Sequence, residues 1–316
     1  MTEQSFGGQW TDEKLRILDE YLVEYTKIFS RNQKAKYFRT WYVDAFAGTG
    51  TRTERSNSPE TLHLFREIYD DADKPETRDG SARIALSLAN PFNNYLFIDN
   101  WKAGVNALKS MVMKDHADLI ARCQFENCDA NEGLKNWCNK RDWNKERAVV
   151  FLDPFGMQVE WDTIIALAAT KGVDILYLFP LMGVIRVLTW DGKLEESWRR
   201  RLDLLFGTND WRTWFYKLRT AETQGKIAFD SGDLQGQASV SLERNVNEEN
   251  IREFVEMRLK TCFEGVARGL VLRNSLSSPL YLLCFAAANE KGASIGGRIA
   301  QHLLSPQPAR KRKEKK

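Results

Sequence analysis

Short apolar runs alternate with helix-like segments over the first half of the chain. Between residues 12 and 29, apolar side chains recur every three or four positions, which predicts an amphipathic helix. Apolar runs typical of buried strands follow at 41–47, 95–98, 123–125, 148–152 and 173–179. Helix-like spacing lies between or after these runs, at 59–70 or 81–89, 103–114, 131–139 and 161–170. Such repeated strand and helix units predict an α/β fold with a doubly wound, mostly parallel sheet.

The pattern changes after Pro180. Helical spacing then comes in three pieces, 197–206, 211–218 and 248–263, with a polar, glycine-containing stretch at 225–236. Two strand-like runs, 265–273 and 280–287, and a helix at 294–304 return the chain to the sheet. The expected organisation is a core of residues 1–185 and 264–306, a mostly helical insertion of residues 186–263 that recognises a substrate or partner, and a basic tail of residues 307–316.

Composition excludes several classes of protein. The 316 residues are 43% apolar and 28% charged, as in ordinary globular proteins. Five cysteines without C-x-x-C spacing do not suit a disulfide scaffold or a zinc ribbon, and three scattered histidines suggest no metal site. No apolar run approaches the roughly 20 residues of a membrane span, and the first residues are polar, so we expect a cytoplasmic protein without a membrane partner.

The net charge of +3 is unevenly distributed, because the last eight residues alone carry six basic groups and one acidic group. Two basic clusters remain in the body of the chain. One, between residues 27 and 39, contains Lys34, Lys36 and Arg39, and the other places Arg199, Arg200 and Arg201 among four tryptophans. Basic groups interleaved with aromatic rings suit nucleic-acid binding, DNA or RNA. Solvated helix faces with the rings in the core are the more common explanation.

The first candidate site follows the run 41–47. Gly48 and Gly50 allow a tight turn that approaches a ligand closely, and Asp44 and Phe46 precede them. A third glycine of the dinucleotide-binding fingerprint is missing, which disfavours a phosphate-binding loop. The Asp44 carboxylate instead suits a ligand that carries an ammonium group.

Two further acids follow the next strands. Asp99 ends its strand, where a carboxylate can accept hydrogen bonds from the hydroxyls of a ribose. Asp129 follows the third strand and is placed to accept from an adenine amino group. Each acid alone is more often a helix N-cap. Together they describe an adenosine with a positively charged amino-acid arm, so we expect S-adenosyl-L-methionine as the cofactor.

The fourth strand ends in Asp153, Pro154 and Phe155. The Asp153 carboxylate and the Pro154 carbonyl can accept both hydrogens of an exocyclic amine and direct its lone pair toward a methyl donor. Phe155 can stack on the base that carries the amine. The alternative is a simple Asp-Pro turn that ends a strand.

These motifs resemble those of class I methyltransferases: residues 44–50 are similar to their first motif, and residues 153–155 occupy the place of the Asp/Asn-Pro-Pro-aromatic motif of amino-methyltransferases. Here Phe155-Gly156 replaces the second proline and the aromatic residue. The resulting Asp-Pro-Phe-Gly string resembles that of transfer-RNA guanine-amine methyltransferases, which implies an exocyclic amine of guanine as readily as one of adenine. The chain also resembles the three-Cys-motif partner protein family. That likeness is carried by Lys14-Leu-Arg-Ile-Leu-Asp-Glu-Tyr21, Asp44-Ala-Phe-Ala-Gly48, Gly80-Ser81, Leu152-Asp-Pro-Phe-Gly156 and Ser278-Pro-Leu-Tyr281.

The second resemblance implies a bacterial or phage setting and a partner protein that carries a three-cysteine motif. The expected function is methyl transfer from S-adenosylmethionine to an exocyclic amine of a nucleic-acid base. Two alternatives stay open: a methyltransferase-like binding module that works with the three-Cys-motif protein, and a methyltransferase for a small molecule or a protein.

Overall fold

The computed structural model describes residues 9–49, 80–219 and 241–305. Gly50, the predicted helix at 59–70, the polar stretch at 225–236 and the basic tail lie outside these residues. The central sheet has eight strands, in the order β3-β2-β1-β4-β5-β10-β8, and β9 also pairs with β10. Its strands are β1 (Arg39–Asp44), β2 (Asn94–Ile98), β3 (Cys123–Glu126), β4 (Glu146–Leu152), β5 (Val173–Phe179), β8 (Gly265–Val266), β9 (Leu270–Arg273) and β10 (Pro279–Ala287).

The first five strands are parallel, and β10 runs antiparallel to β5. Helices connect the parallel strands, so both faces of the central strands are buried and their sequences read as continuous apolar runs. The described helices are α1 (Gln9–Arg31), α2 (Ser81–Leu86), α3 (Lys102–Asp115), α4 (Ala130–Asn139), α5 (Trp161–Ala169), α6 (Leu181–Val187), α7 (Glu196–Phe206), α8 (Trp211–Phe215), α9 (Glu248–Lys260) and α10 (Glu290–Leu304). The doubly wound α/β class predicted from the sequence is confirmed.

The predicted helix at 211–218 is wrong in its second half. The helix α8 ends at Phe215, and β6 (Tyr216–Arg219) pairs antiparallel with β7 (Ser241–Arg244). Tyr216 is buried and Lys217 is exposed, as alternate residues of a strand are. Four residues are too few to distinguish the two-residue period of a strand from the period of a helix in the sequence. The insertion is therefore helical apart from this strand pair in its described part.

The helix α1 lies against α2, β9 and α10. Its buried residues Ile17, Leu18, Tyr21 and Leu22 recur with the helical period, and their burial fixes α1 to the core. Within the described ranges, no helix is both long and apolar enough to cross a membrane.

Candidate functional site

Three carboxylates lie at the ends of three neighbouring parallel strands. Asp44 is the last residue of β1, and Asp99 and Asp153 directly follow β2 and β4, the strands on either side of it. The order in which the strands are added to the sheet reverses between β1 and β4. The strands β2 and β3 lie on one side of β1, and β4 and β5 lie on the other. Open α/β sheets bind ligands at this reversal, beyond the carboxyl ends of the strands. We call this region the carboxyl edge.

Asp44 is completely buried at the centre of the carboxyl edge. Its carboxylate accepts hydrogen bonds from Ser81 Oγ at 2.5 Å and from the Phe46 backbone N–H at 3.2 Å. Burial raises the pKa of Asp44 to about 6; the hydrogen bond from Ser81 opposes this rise, and the negative charge of Asp153 adds to it. Ionised Asp44 is thus a buried anion to which no described cation is bonded, which is the electrostatic condition for attracting a cationic ligand.

Asp99 shapes the glycine turn after β1. Its Oδ2 accepts a hydrogen bond from the Gly48 backbone N–H at 2.8 Å, and its Oδ1 accepts one from the Trp101 N–H at 2.9 Å. Gly48 has a φ angle of +59°, which a residue with a Cβ rarely adopts. A carboxylate presents about four acceptor positions, which suits a ligand with two neighbouring hydroxyls such as a ribose.

Asp129 caps the helix α4, as the common alternative for such an acid predicts. Its Oδ1 accepts hydrogen bonds from the backbone N–H groups of Asn131 at 2.8 Å and Glu132 at 3.2 Å. The residue is exposed, and no described residue donates to its Oδ2. Capping and ligand binding are therefore compatible at this position.

Lys14 of α1 forms an ion pair with Asp153 that the sequence did not reveal. Its Nζ lies 2.6 Å from Asp153 Oδ2, and the two side chains are 6% and 29% exposed. A lysine in an amphipathic helix normally belongs to the solvated face. The available signal was position, because Lys14 lies one helical turn from Trp10 and from Leu18, both on the buried face.

A second unpredicted residue, Asn131, fixes the loop that follows Asp153. The Asn131 side chain donates to the Gln158 carbonyl at 3.0 Å and accepts from the Glu160 N–H at 2.9 Å and from Thr163 Oγ1 at 2.8 Å.

The loop itself carries the predicted acceptor residues. Pro154 is buried and Phe155 is half-buried. Gln158 Oε1 accepts a hydrogen bond from the Phe155 N–H at 3.1 Å, which closes the turn. Gly156 has a φ of +70°, so the turn needs a glycine there.

The structure separates one basic cluster from the carboxyl edge. Lys34, Lys36 and Arg39 are exposed, but they lie at or before the start of β1, whereas Asp44 lies at its end. Five strand steps separate Arg39 from Asp44, about 16 Å. These residues therefore do not join the carboxylates.

The other basic cluster lies on α7, in the insertion. Arg199 pairs with Glu196 at 2.9 Å, and Arg200 and Arg201 are exposed. The glycine at the end of α7, Gly207, abuts the ring of Trp161, where a Cβ would lie 2.3 Å from a ring atom. Because Trp161 begins α5, this end of α7 lies at the end of the loop of residues 153–160 that follows Asp153.

A groove elsewhere in the described part of the chain runs between α1 and α10, lined by Asp19, Glu24, Arg298 and His302 among others. It starts more than one helical turn beyond Lys14 and contains none of the three carboxylates. The carboxyl edge, unlike this groove, combines the reversal of the strand order with convergent polar groups, which is the usual setting of a ligand site in an α/β fold. In the described ranges, no group of three or more His, Cys, Asp or Glu side chains could hold a metal ion.

The strand order, with the antiparallel β10 between β5 and β8, is that of a Rossmann-like methyltransferase fold. No protein-family model and no curated protein matches the chain. The chain has distant likenesses to solved structures. A Legionella pneumophila protein is 12% identical, with 65% of this chain and 76% of that one covered and a TM-score of 0.38.

Two other distant neighbours are described as candidate methylating enzymes. One, from Listeria monocytogenes, is described as S-adenosylmethionine dependent; it is 8% identical, over 84% of this chain and 97% of that one, with a TM-score of 0.34. The other, from Clostridium thermocellum, is described as an rRNA methylase; it is 13% identical, over 71% of this chain and 95% of that one, with a TM-score of 0.27.

Proposed function

We propose that this protein is an S-adenosylmethionine-dependent methyltransferase that modifies an exocyclic amine of a nucleic-acid base. One observation carries the proposal: Asp44, Asp99 and Asp153 meet at the carboxyl edge, at the reversal of the strand order.

The described residues fit the proposed cofactor. Buried Asp44 supplies negative charge for the ammonium of the amino-acid arm, and the Asp99 carboxylate, which directly follows the neighbouring strand, is the acceptor for the ribose hydroxyls. Asp129 Oδ2 is available for an adenine amino group, and Phe46 and Gly48 belong to the turn that follows β1. Gly50 is a proposed cofactor residue by its place in the sequence. When bound, the cofactor supplies an electrophilic methyl group attached to sulfur.

The acceptor amine is proposed to bind at Asp153, Pro154 and Phe155. Of the described residues, only Lys14 hydrogen-bonds the Asp153 carboxylate, through Oδ2, which leaves Oδ1 for an amine hydrogen. The Pro154 carbonyl is the second acceptor, and the half-buried Phe155 ring provides a stacking surface. The amine nitrogen would become more acidic on methylation, and Asp153 would be the residue that receives its proton.

The insertion supports a nucleic-acid acceptor. Arg200 and Arg201 are exposed on α7, as groups that contact phosphates would be. Trp190 is 77% exposed, and the Arg244 guanidinium lies 5.0 Å from its ring centroid. An exposed ring with a cation on one face suits base stacking on the other.

A binding module for a three-Cys-motif protein is the second candidate function. The observation that favours it is the distance between the carboxyl edge and the basic cluster of Lys34, Lys36 and Arg39. Tyr37, in the same segment, is 65% exposed. This basic and aromatic surface lies near the start of β1, away from the carboxyl edge. It therefore fits a partner protein better than the substrate that binds at the carboxyl edge.

The experiment that tests the proposal measures transfer of an isotope-labelled methyl group to DNA and to RNA. We expect labelled nucleic acid with the wild type, and none with Asp153→Ala. Asp142→Ala is the matched control, because its ion pair with Lys145 is exposed. Cofactor binding without transfer to either nucleic acid would favour the binding module, and transfer only to small molecules or proteins would favour the remaining alternative.

A further inference from the structure

We infer that Lys14 determines which amines this site accepts: its ammonium balances the charge of Asp153, so that a neutral aromatic amine binds and a cationic alkylammonium does not. The inference rests on the proposed function, because it assigns the acceptor class of the same site.

The ion pair is the first reason. Lys14 Nζ lies 2.6 Å from Asp153 Oδ2, and only 6% of the Lys14 side chain is exposed. Lysine is almost never buried unless it is paired, and Asp153 is its partner. The pair leaves Asp153 Oδ1 as a hydrogen-bond acceptor, and the Lys14 ammonium balances the negative charge of the carboxylate, so the pair as a whole is neutral.

The rigidity of Lys14 is the second reason. It lies in the long helix α1, and its Nζ is 5.1 Å from the centroid of the Trp10 ring. That ring stacks on Tyr281 of β10, with the centroids 5.2 Å apart. Lys14 is held between a packed ring and a carboxylate, so its position is fixed. The positive charge of Lys14 is therefore already in the site when a ligand enters.

The consequence follows from electrostatics. A cationic acceptor would give up its hydration water on entering the site. In return it would meet the Lys14 ammonium and a carboxylate whose charge Lys14 already balances, so the lost solvation is not recovered. A nucleobase amine is neutral and needs only hydrogen-bond acceptors, which Asp153 Oδ1 and the Pro154 carbonyl provide. Rejection of the wrong substrate by an unfavourable charge is a common source of specificity.

The experiment compares the binding of two small probes to the protein saturated with S-adenosylhomocysteine. The probes are 9-methylguanine, a neutral aromatic amine, and n-butylammonium, and the readout is the chemical-shift perturbation of the protein on titration. In the wild type we expect binding of 9-methylguanine alone. In Lys14→Met we expect the affinity ratio to move toward n-butylammonium by roughly tenfold or more, since one uncompensated charge is worth more than about 1.4 kcal/mol in a partly buried site.

Two variants separate charge from packing. Lys14→Arg keeps the positive charge, so it should keep the wild-type preference. Arg16→Met removes a cation from the same helix whose pair with Glu20 is exposed, so it should change nothing.

Binding of n-butylammonium to the wild type in preference to 9-methylguanine would overturn the inference, as would an unchanged ratio in folded Lys14→Met. The wild-type comparison requires no variant to fold. Because the readout is binding rather than transfer, failure of the methyltransferase assay and failure of this inference are distinguishable.

Discussion

Asp99 Oδ2 accepts a hydrogen bond of 2.8 Å from the backbone N–H of Gly48, 51 residues earlier in the chain. The carboxylate that follows β2 thereby fixes the turn that follows β1. The same side chain is the proposed partner of the ribose, so one residue both shapes the turn and contacts the ligand. Any loss of cofactor binding on substitution of Asp99 therefore combines both roles.

Cofactor affinity should rise with pH as Asp44 ionises. Its pKa of about 6 follows mainly from burial, so the carboxyl group is largely neutral at pH 5 and largely charged at pH 7. A cationic ligand binds the charged form more tightly, and calorimetric titrations with S-adenosylmethionine across this range should show the increase. In Asp44→Asn the affinity should be weak at both pH values; an unchanged pH dependence in this variant would assign the titration to another group.

The stability of the free protein should change in the opposite sense. The native pKa of Asp44 is above its usual value of 3.8, so the folded state binds more protons than the unfolded state between about pH 4 and pH 6. The contribution of Asp44 to the free energy of unfolding is highest below pH 4 and falls as the pH rises through 6. The fall is about 3 kcal/mol for a pKa raised from 3.8 to about 6. Urea unfolding at several pH values should show this fall in the wild type and not in Asp44→Asn.

Removal of one partner of the Lys14–Asp153 pair should cost more stability than removal of both. Asp153→Ala leaves a buried ammonium uncompensated and should lower the free energy of unfolding by about 3 kcal/mol. The double variant with Lys14→Met should recover a large part of that loss. A double-mutant cycle by urea unfolding measures the coupling, and strict additivity of the two single variants would refute a structural pair.

Asn131→Ala should weaken acceptor binding and leave cofactor binding intact. The substitution removes three hydrogen bonds that hold residues 158–163, with a cost of about 2–3 kcal/mol in stability. We expect a higher KM for the nucleic acid and an unchanged calorimetric affinity for S-adenosylmethionine. Asn139→Ala, at the exposed end of the same helix, is the control. Equal weakening of both ligands would show that Asn131 supports the site as a whole.

The two basic clusters should contribute differently to methyl transfer. Substitution of Arg200 and Arg201 by Ala should raise the KM for nucleic acid and reduce the dependence of log affinity on log salt by about 2 units, one for each lost phosphate contact. Substitution of Lys34 and Lys36 by Ala should leave the KM unchanged, because these residues lie at the opposite edge of the sheet. A raised KM on substitution of Lys34 and Lys36, with an unchanged KM on substitution of Arg200 and Arg201, would place nucleic-acid binding near the start of β1.

The sequence predicted the parallel strands well, because strands buried on both faces are continuous apolar runs between polar loops. It also placed Asp44, Asp99, Asp129 and Asp153 after four strands of the predicted sheet, and the carboxyl ends of parallel strands share one edge. The pair of β6 and β7 was missed because β6 is short and continues directly from α8. Lys14 and Asn131 were missed because their roles depend on partners 139 and 27 to 32 residues away. Local spacing places Lys14 on the buried face of its helix, but it does not identify a partner so far along the chain.

The most direct test of the proposed cofactor site is a calorimetric titration of the full chain with S-adenosylmethionine, alongside Asp99→Ala and the exposed-site control Asp142→Ala. We predict saturable one-to-one binding to the wild type and the control, and none to Asp99→Ala. Absence of binding to the wild type would contradict the proposal. Equal binding to all three proteins would place the cofactor somewhere other than the carboxyl edge.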